Sequence, residues 1–432
     1  MGVVLGALVP HPPVMIPEVG GEDARSVRGT RAAMKRLART IRLQEPDTVV
    51  VLSPHAPASW EHCLYYGQEE INGDLAAFGA PHAAVSWSCD LSFLERLRSL
   101  LREEGISLTE GPADTLDHGA LVPLHFLALG GVKSRVLILS APPWPSEQLH
   151  RLGEGLAQTA GALGTRTVVL ASGDLSHRLK PEAPAGYHPR GAEFDRFVMD
   201  TLSTGDFAAL HCLDPALIEA AGQCALNPLL ILGGALAQES VGGRRMAYEA
   251  PFGVGYGVVA FTRTHPLVAL AQKAVWAYLR DGTVIEPCQQ LNPSLPEQAG
   301  VFVSIKGQGQ LRGCIGTMEP TRDTLVEEVI HNSIAAATRD PRFTPLTMKE
   351  LPYVEVSVDV LGPRRPICGL DDLDPERYGV VVMKGDRVGL LLPSLPGIEN
   401  PREQVAIACQ KAGLDPDDPA LSLERFEVKR YE

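Results

Sequence analysis

The chain has 432 residues, of which 45% are hydrophobic and 21% charged, and its formal net charge is −13 at pH 7. This length favours at least two domains with cores large enough to need no disulfide. The acidic balance does not favour nucleic acid as a partner, and we expect none. No apolar run approaches the roughly 20 residues of a membrane-spanning helix, so we expect no membrane segment.

The eight cysteines are scattered and form no Cys-x-x-Cys pair. Their spacing argues against a zinc ribbon, an iron–sulfur site and a dense disulfide framework. The apolar N-terminus lacks a basic region and reads as a first strand, not as a signal peptide. We therefore expect a cytoplasmic protein.

Strands and helices alternate over the first part of the chain. Apolar, β-branched runs predict strands at 3–9, 48–53, 135–140 and 167–170, with a closing pair at 244–250 and 254–262. Amphipathic or apolar segments predict helices at 22–43, 90–104, from 146, 190–202 and 227–238. This alternation predicts an α/β domain over residues 1–263, with a mixed central sheet flanked by helices.

The pattern changes after residue 263. We expect helices at 266–279, 324–337 and 403–413, strands at 301–306 and 353–361, and a hairpin of strands 378–383 and 387–392. The second domain, residues 266–432, is therefore predicted to be smaller and of the α+β class.

Histidines follow the predicted strands of the first domain. His11, His55 and His177 each come directly after an apolar strand, and His118 lies in an Asp-His-Gly turn. Ligands of open α/β sheets bind outside the carboxyl ends of the strands. Imidazole suits iron, zinc or copper, and an added carboxylate completes a two-histidine, one-carboxylate face that leaves positions open for substrate. The first domain is therefore predicted to bind one metal ion at this edge.

Two carboxylates compete for the third ligand position. Glu249 is the better candidate, because it too ends a predicted strand. Asp174 is the alternative, although it could instead cap a helix or orient His177. With His11, His55 and Glu249 as ligands, His177 and His118 remain for acid–base work near neutral pH.

Five segments together resemble one known family. They are Pro10-His11-Pro12, Ser53-Pro54-His55, Asp117-His118-Gly119, Ser172-Gly173-Asp174-Leu175-Ser176-His177 and the run from Tyr248 to Gly257. Their types and order over residues 1–263 resemble the class III extradiol ring-cleavage dioxygenases and their Memo-like relatives.

The resemblance implies a ligand set and a reaction. His11, His55 and Glu249 would bind ferrous iron, with zinc or copper as alternatives. His177 would be the catalytic base, oriented by Asp174, and His118 would contact the substrate. The implied reaction is the O2-dependent opening of a catechol ring, so we expect a small aromatic substrate.

The second domain contains the motif Leu311-Arg312-Gly313-Cys314-Ile315-Gly316. A cysteine between glycine and isoleucine is most often a small buried side chain. The alternative is a functional thiol, since the glycines permit close backbone approach and Arg312 can activate a neighbouring thiol. Arg339 and Arg342, which follow the predicted helix, are candidates for binding an anion.

Residues 266–432 also resemble a known family. The segments are Leu311–Gly316, Ala335–Ala337 with Arg339–Phe343, Val354–Val358 and Gly389–Pro393. They resemble the AMMECR family, whose domains act with Memo-like domains and a radical-SAM protein in AmmeMemoRadiSam systems. The resemblance implies a fusion of two such domains and a radical-SAM partner.

We expect a metal-dependent oxidoreductase of the extradiol type. The alternatives are a metal-dependent hydrolase or transferase that uses the same pocket, in which a metal-bound water is the nucleophile, and a non-catalytic metal-binding module that partners a radical-SAM enzyme.

Overall fold

The computed structural model describes residues 2–56, 59–111, 116–287, 295–307, 309–395 and 397–432. The chain divides into two compact units, Met1–Thr264 and His265–Glu432. Seven cysteines are free thiols, and Cys288 lies outside the described residues. Within these ranges, no helix combines the length and the apolar character needed to cross a membrane.

The first unit contains ten strands and eight α-helices among its described residues. The strands are β1 (Gly2–Val9), β2 (Thr48–Ser53), β3 (Cys63–Tyr65), β4 (Glu70–Leu75), β5 (Ala80–Ser88), β6 (Leu108–Glu110), β7 (Arg135–Ser140), β8 (Arg166–Ser172), β9 (Val241–Glu249) and β10 (Tyr256–Arg263). The helices are α1 (Pro17–Gly20), α2 (Arg28–Leu43), α3 (Leu91–Glu103), α4 (His118–Leu129), α5 (Ser146–Leu163), α6 (Gly191–Ser203), α7 (Pro215–Ala221) and α8 (Leu226–Leu236).

Eight of these strands form one mixed sheet in the order β6-β3-β7-β2-β8-β1-β10-β9. The four strands β7, β2, β8 and β1 are parallel to one another. Strand β10 is antiparallel to both β1 and β9. Strands β4 and β5 form a separate two-stranded sheet. The parallel centre places the carboxyl ends of β1, β2 and β8 at one edge.

Both faces of the central sheet are covered. In β2, Val50 and Leu52 join a core cluster with residues of α5 and α8, whereas Val49 and Val51 join a cluster with α2 and α4. Alternation along a strand sends successive side chains to opposite faces, so an all-apolar strand is buried on both. The predicted α/β class, with a mixed sheet flanked by helices, is confirmed.

The second unit is built on an antiparallel sheet. Its strands are β11 (Val301–Gly307), β12 (Gln310–Gly316), β13 (Val354–Leu361), β14 (Arg365–Ile367), β15 (Tyr378–Lys384), β16 (Arg387–Leu391) and β17 (Ser422–Tyr431), and its helices are α9 (Pro266–Asp281), α10 (Leu325–Thr338) and α11 (Pro401–Ala412). The strand order is β12-β11-β13-β17-β15-β16, and β14 also pairs with β17. This arrangement confirms the predicted α+β class.

Helix α10 and its neighbour α9 cover one face of that sheet. Val301, Val303 and Ile305 of β11 belong to the core cluster beneath these helices. The start of α10 is fixed by a capping box, in which Thr324 and Glu327 each bond the other's main-chain N–H. The alternate residues of β11, including Ser304, face the opposite side of the sheet.

The crossing of α5 and α8 provides a test of the core of the first unit. A Cβ atom on Gly153 would lie 1.9 Å from the Ile231 carbonyl oxygen, whereas Gly161 of the same helix has open space around it. We expect Gly153→Ala to lower the stability of the first unit by about 1–3 kcal/mol, because the helices must separate. Gly161→Ala, the matched control, should raise it by about 0.5–1 kcal/mol. Differential scanning calorimetry of the full chain measures both, and equal effects would contradict the packing described.

Candidate metal centre

Three histidines converge at the carboxyl edge of the central sheet. His11 follows β1, His55 follows β2 and His118 is the first residue of α4. Their ligand nitrogens all lie within 4.8 Å of one another. His11 Nε2 and His55 Nε2 are 3.0 Å apart, and the ring of His118 stacks on that of His55 with centroids 4.4 Å apart.

The start of α4 is tied to the end of β2. Asp117 caps the helix by accepting a hydrogen bond from the Ala120 N–H at 3.2 Å. The same Oδ1 atom accepts a 2.5 Å bond from the hydroxyl of Ser53, the last residue of β2. Gly119 permits this approach, because a Cβ there would lie 2.4 Å from Ser53 Oγ. His118 is thereby held beside His55.

The protonation of His11 follows from its neighbour Ser172, the last residue of β8. The Ser172 hydroxyl donates its single proton to the Gly119 carbonyl oxygen at 2.6 Å. Its oxygen lies 2.9 Å from His11 Nδ1 and must therefore accept a proton from that nitrogen. Neutral His11 consequently carries its lone pair on Nε2, the atom that lies 3.0 Å from His55 Nε2. Hydrogen bonds of this kind fix the tautomer of metal-binding histidines.

His177 is held in the same way. Its Nδ1 lies 2.5 Å from the Gly222 carbonyl oxygen, which can only accept, so Nδ1 carries the proton and Nε2 is free to accept one. Its main-chain N–H donates to the Ala221 carbonyl oxygen. His177 is close enough to act electrostatically on His11 and to be acted on by His55.

All four histidines favour the neutral form. Burial is the largest cause and lowers the pKa of His11, His55, His118 and His177. The pKa of His11 is held well below its ordinary value, because the other three histidines add to the effect of burial. Neutral imidazole is the form that binds metal, so these histidines need not lose a proton before a metal ion binds.

Glu249 lies elsewhere in the structure. Its carboxylate accepts hydrogen bonds from the main-chain N–H groups of Gly29 and Thr30, at 3.2 and 2.7 Å, and from the Thr30 hydroxyl at 2.7 Å. These groups belong to the first turn of α2, where unpaired N–H groups and the helix dipole attract a carboxylate. The cluster of neighbouring ligand atoms therefore contains His118, and not Glu249, beside His11 and His55, and the ligand set of His11, His55 and Glu249 stays a prediction.

Asp174 is buried near the cluster. Its Oδ1 accepts from the His11 main-chain N–H at 3.0 Å, and its Oδ2 lies 3.9 Å from His11 Nε2. Asp174 therefore supports His11, whereas the contact that fixes His177 comes from Gly222. Burial raises the pKa of the Asp174 carboxyl to about 7.

Sequence reasoning missed Cys224. Its sulfur lies 3.6 Å from His11 Nε2 and accepts a 3.2 Å hydrogen bond from the Asp174 N–H. Burial raises the pKa of this thiol. Cys224 lies two positions before the apolar helix α8. This position near a helix start is the one sequence signal that could have suggested a functional role for it. Cys224 adds a sulfur donor to the three imidazoles.

The donor set fits a transition metal. With metal–nitrogen bonds of about 2.0–2.1 Å, two ligands of one ion lie about 2.9–3.4 Å apart. The 3.0 Å separation of His11 Nε2 and His55 Nε2 falls in this range. Imidazole with a nearby thiol suits zinc, copper or iron, whereas calcium and magnesium require oxygen ligands.

In the second unit, the hydrogen bonds of the candidate residue Arg312 go to partners other than Cys314. The Arg312 guanidinium donates to Glu350 Oε1 at 2.9 Å and to the Thr344 carbonyl oxygen at 2.6 Å. It thereby fastens the segment that follows α10. Arg342 is the arginine that bonds the main chain of Cys314, with Nη2 donating to the Cys314 carbonyl oxygen at 3.2 Å.

Two substitutions distinguish the observed cluster from the expected ligand set. We expect His118→Ala to weaken Co²⁺ binding by at least about 10- to 100-fold, because the loss of a group that only orients a metal ligand already lowers metal affinity by this factor. Glu249→Gln should leave Co²⁺ affinity unchanged and lower stability by about 0.5–2 kcal/mol, because α2 loses its anionic cap. Absorption titrations of the apoprotein measure the affinity, with the exposed His82→Ala as the matched control. Loss of binding in Glu249→Gln but not in His118→Ala would restore the expected set.

The buried carboxyl of Asp174 predicts a pH dependence of stability. Because its pKa is raised to about 7 when folded, against about 3.9 when unfolded, the stability that it contributes is lost as the pH rises from about 4 through 7. Asp174→Asn lacks this loss, so its stability relative to the unmodified chain should rise with pH by a few kcal/mol. Urea unfolding of the metal-free proteins at pH 5 and 8 measures the difference, with the exposed Asp23→Asn as control. The same relative stability at both pH values would contradict the assignment.

The comparisons with known proteins cover both units. Residues 5–259 match the family model described as the catalytic LigB subunit of aromatic ring-opening dioxygenase, and residues 268–432 match the AMMECR1 model. Protein CA_C1420 of Clostridium acetobutylicum is 32% identical over 98% of this chain and 98% of its own length. A protein of Thermotoga maritima is 46% identical over 39% of this chain and 97% of its own length.

Among solved structures, the uncharacterized protein PH0010 of Pyrococcus horikoshii shares 37% identity over 39% of this chain and 89% of that chain, with a TM-score of 0.36. The two family matches confirm the fusion of a dioxygenase-like and an AMMECR-type domain that the motifs predicted. The chain belongs to the family of the catalytic LigB subunit of aromatic ring-opening dioxygenases, and it carries an AMMECR1 domain after the LigB domain.

Proposed function

We propose that the LigB domain is a metal-dependent oxidoreductase that opens a catechol-type ring with O2. The ion, which we expect to be ferrous iron, would be held by His11, His55 and His118, with Cys224 beside them. The observation that carries the proposal is the cluster of three neutral imidazoles at the carboxyl edge of the sheet, in a chain of the LigB family. When bound, the metal supplies Lewis acidity and one-electron chemistry at this edge.

His177 is suited to carry a proton. The Gly222 carbonyl oxygen holds its Nδ1–H at 2.5 Å, so Nε2 is the basic atom. Because burial lowers its pKa, the ring is neutral at pH 7 and can take the proton of a phenolic hydroxyl. It can later return this proton to the product.

The walls of the site support an aromatic substrate. Phe78 meets the ring of His118 edge-on, with centroids 5.7 Å apart, and its side chain is exposed. His55 is exposed too, whereas His11 is buried. A planar substrate can therefore approach from the side of His55 and stack on an existing aromatic surface.

O2 consumption tests the proposal. The apoprotein is loaded with Fe²⁺ under anaerobic conditions and then mixed with O2 and catechols that differ in side-chain charge. We expect consumption to depend on at least one catechol, and His177→Gln to lower the rate by about 10²- to 10⁴-fold while Fe²⁺ binding is retained. The exposed His82→Ala is the matched control. Fe²⁺ binding that depends on His11 without O2 consumption for any catechol would leave the metal site and refute the reaction.

One observation favours a second function. Three histidines without a carboxylate ligand are the donor set of several zinc hydrolases, in which the ion activates a water molecule. Zinc in protein purified without added metal, together with ester hydrolysis that His11→Ala abolishes, would favour this alternative. The radical-SAM partner implied by the resemblance stays a prediction, which co-purification of the two proteins would test.

A further inference from the structure

Packing accounts for most of the Leu311–Gly316 motif, but not for its cysteine. A Cβ on Gly313 would lie 2.1 Å from the Ala336 carbonyl oxygen, and one on Gly316 would lie 2.3 Å from the Phe302 ring. Both glycines are therefore required by close contacts. Arg312 fastens the segment after α10, as described above. The side chain of Cys314 has no such structural task.

The sulfur of Cys314 lies on the face of the sheet opposite to the one that α9 and α10 cover. Cys314 pairs directly with Ser304 of β11, so their side chains share a face, opposite to that of the core residues Val303 and Ile305. The Ser304 hydroxyl donates to the Cys314 sulfur at 3.3 Å. Cys314 is half-buried, so part of the residue is exposed to solvent.

A buried carboxylate fixes Arg342 beside this cysteine. Asp340 Oδ2 accepts from the Cys314 N–H at 2.8 Å and from Arg342 Nη2 at 2.7 Å, and Oδ1 accepts from Arg342 Nε at 3.0 Å. Pairing with Arg342 holds the pKa of Asp340 well below its usual range. The Arg342 side chain is nevertheless 55% exposed. Arg342 is thus an oriented cation that remains open to solvent.

Two more cations act on the same sulfur. Burial lowers the pKa of Lys411, and Cys314 acts in the opposite direction. The bidentate pair with Asp359 raises the pKa of Arg430, and Cys314 adds to that effect. Lys411 donates to the neutral carbonyl of Leu390 at 3.3 Å, so this bond leaves the ammonium charge uncompensated. Arg342 and Arg430 are each paired with a carboxylate, so Lys411 supplies the net positive charge of this group.

We propose that Cys314 is the nucleophile of a second site, which takes small electrophiles that carry a carboxylate. Arg342 and Lys411 would bind the carboxylate and place the electrophilic carbon at the sulfur. In the covalent step, a sulfur–carbon bond forms, the leaving group departs with the bonding electron pair, and the thiol proton passes to solvent. Partly exposed thiols beside lysine or arginine side chains are typical reactive cysteines.

A pair of alkylating reagents tests the site in the full-length protein. Iodoacetate and iodoacetamide both transfer a two-carbon group with loss of iodide, but only iodoacetate carries a carboxylate. Mass spectrometry of peptides gives the rate at each cysteine. Cys368 is the internal reference, because it is exposed and its main-chain N–H bonds the carboxylate of Asp372. We expect the iodoacetate-to-iodoacetamide rate ratio to be about tenfold higher at Cys314 than at Cys368, and to fall with added salt.

Charge removal gives the decisive comparison. Lys411→Gln and Arg342→Gln should each lower the ratio at Cys314 several-fold, and an unchanged iodoacetamide rate would show that the site is intact. The exposed Lys349→Gln is the matched control and should leave the ratio unchanged. Equal ratios at Cys314 and Cys368, an unchanged ratio in Lys411→Gln, or a Cys314 that neither reagent alkylates would overturn the proposal.

Discussion

One hydroxyl proton organises the metal site. Ser172 ends β8, which lies between the strand that leads to His11 and the strand that leads to His55. Its proton goes to the Gly119 carbonyl oxygen, so its lone pair holds the Nδ1–H of His11. The end of β8, the start of α4 and the ring of His11 therefore meet at this oxygen atom. That meeting turns the free Nε2 of His11 toward the other histidines.

The positions of His11 and His55 could be predicted, because each depends only on a local pattern of an apolar strand followed by a histidine. The alignment of parallel strands then brings them to one edge. Glu249 shows the limit of that reasoning. It also ends a strand, but β10 lies between β9 and β1, and its carboxylate accepts three hydrogen bonds from the first turn of α2. Strand order and helix placement are not readable from the local sequence.

The second unit makes the same point about arginines. Arg312 is two residues from Cys314 in the sequence, yet its guanidinium bonds Glu350 and Thr344. Arg342, much further along the chain, reaches Cys314 because the buried Asp340 fixes both. The helices and the hairpin of this unit followed from periodicity and turn residues, whereas β17 was not predicted, because its charged residues hide the strand pattern. The motif therefore drew attention to Cys314, but the arginine that bonds its main chain could not be identified from its distance along the sequence.

The long strand β17 has a consequence for how the second unit folds. Residues Val428–Tyr431 pair with β13, whereas residues 422–427 pair with β15. Among the described strands, β17 is thus the one that joins the two halves of the sheet. Such pairing between distant segments slows folding, and here it also sets a sequence of events during synthesis. The sheet of the LigB domain can close once β10 has left the ribosome, whereas that of the AMMECR1 domain must wait for residues 422–431.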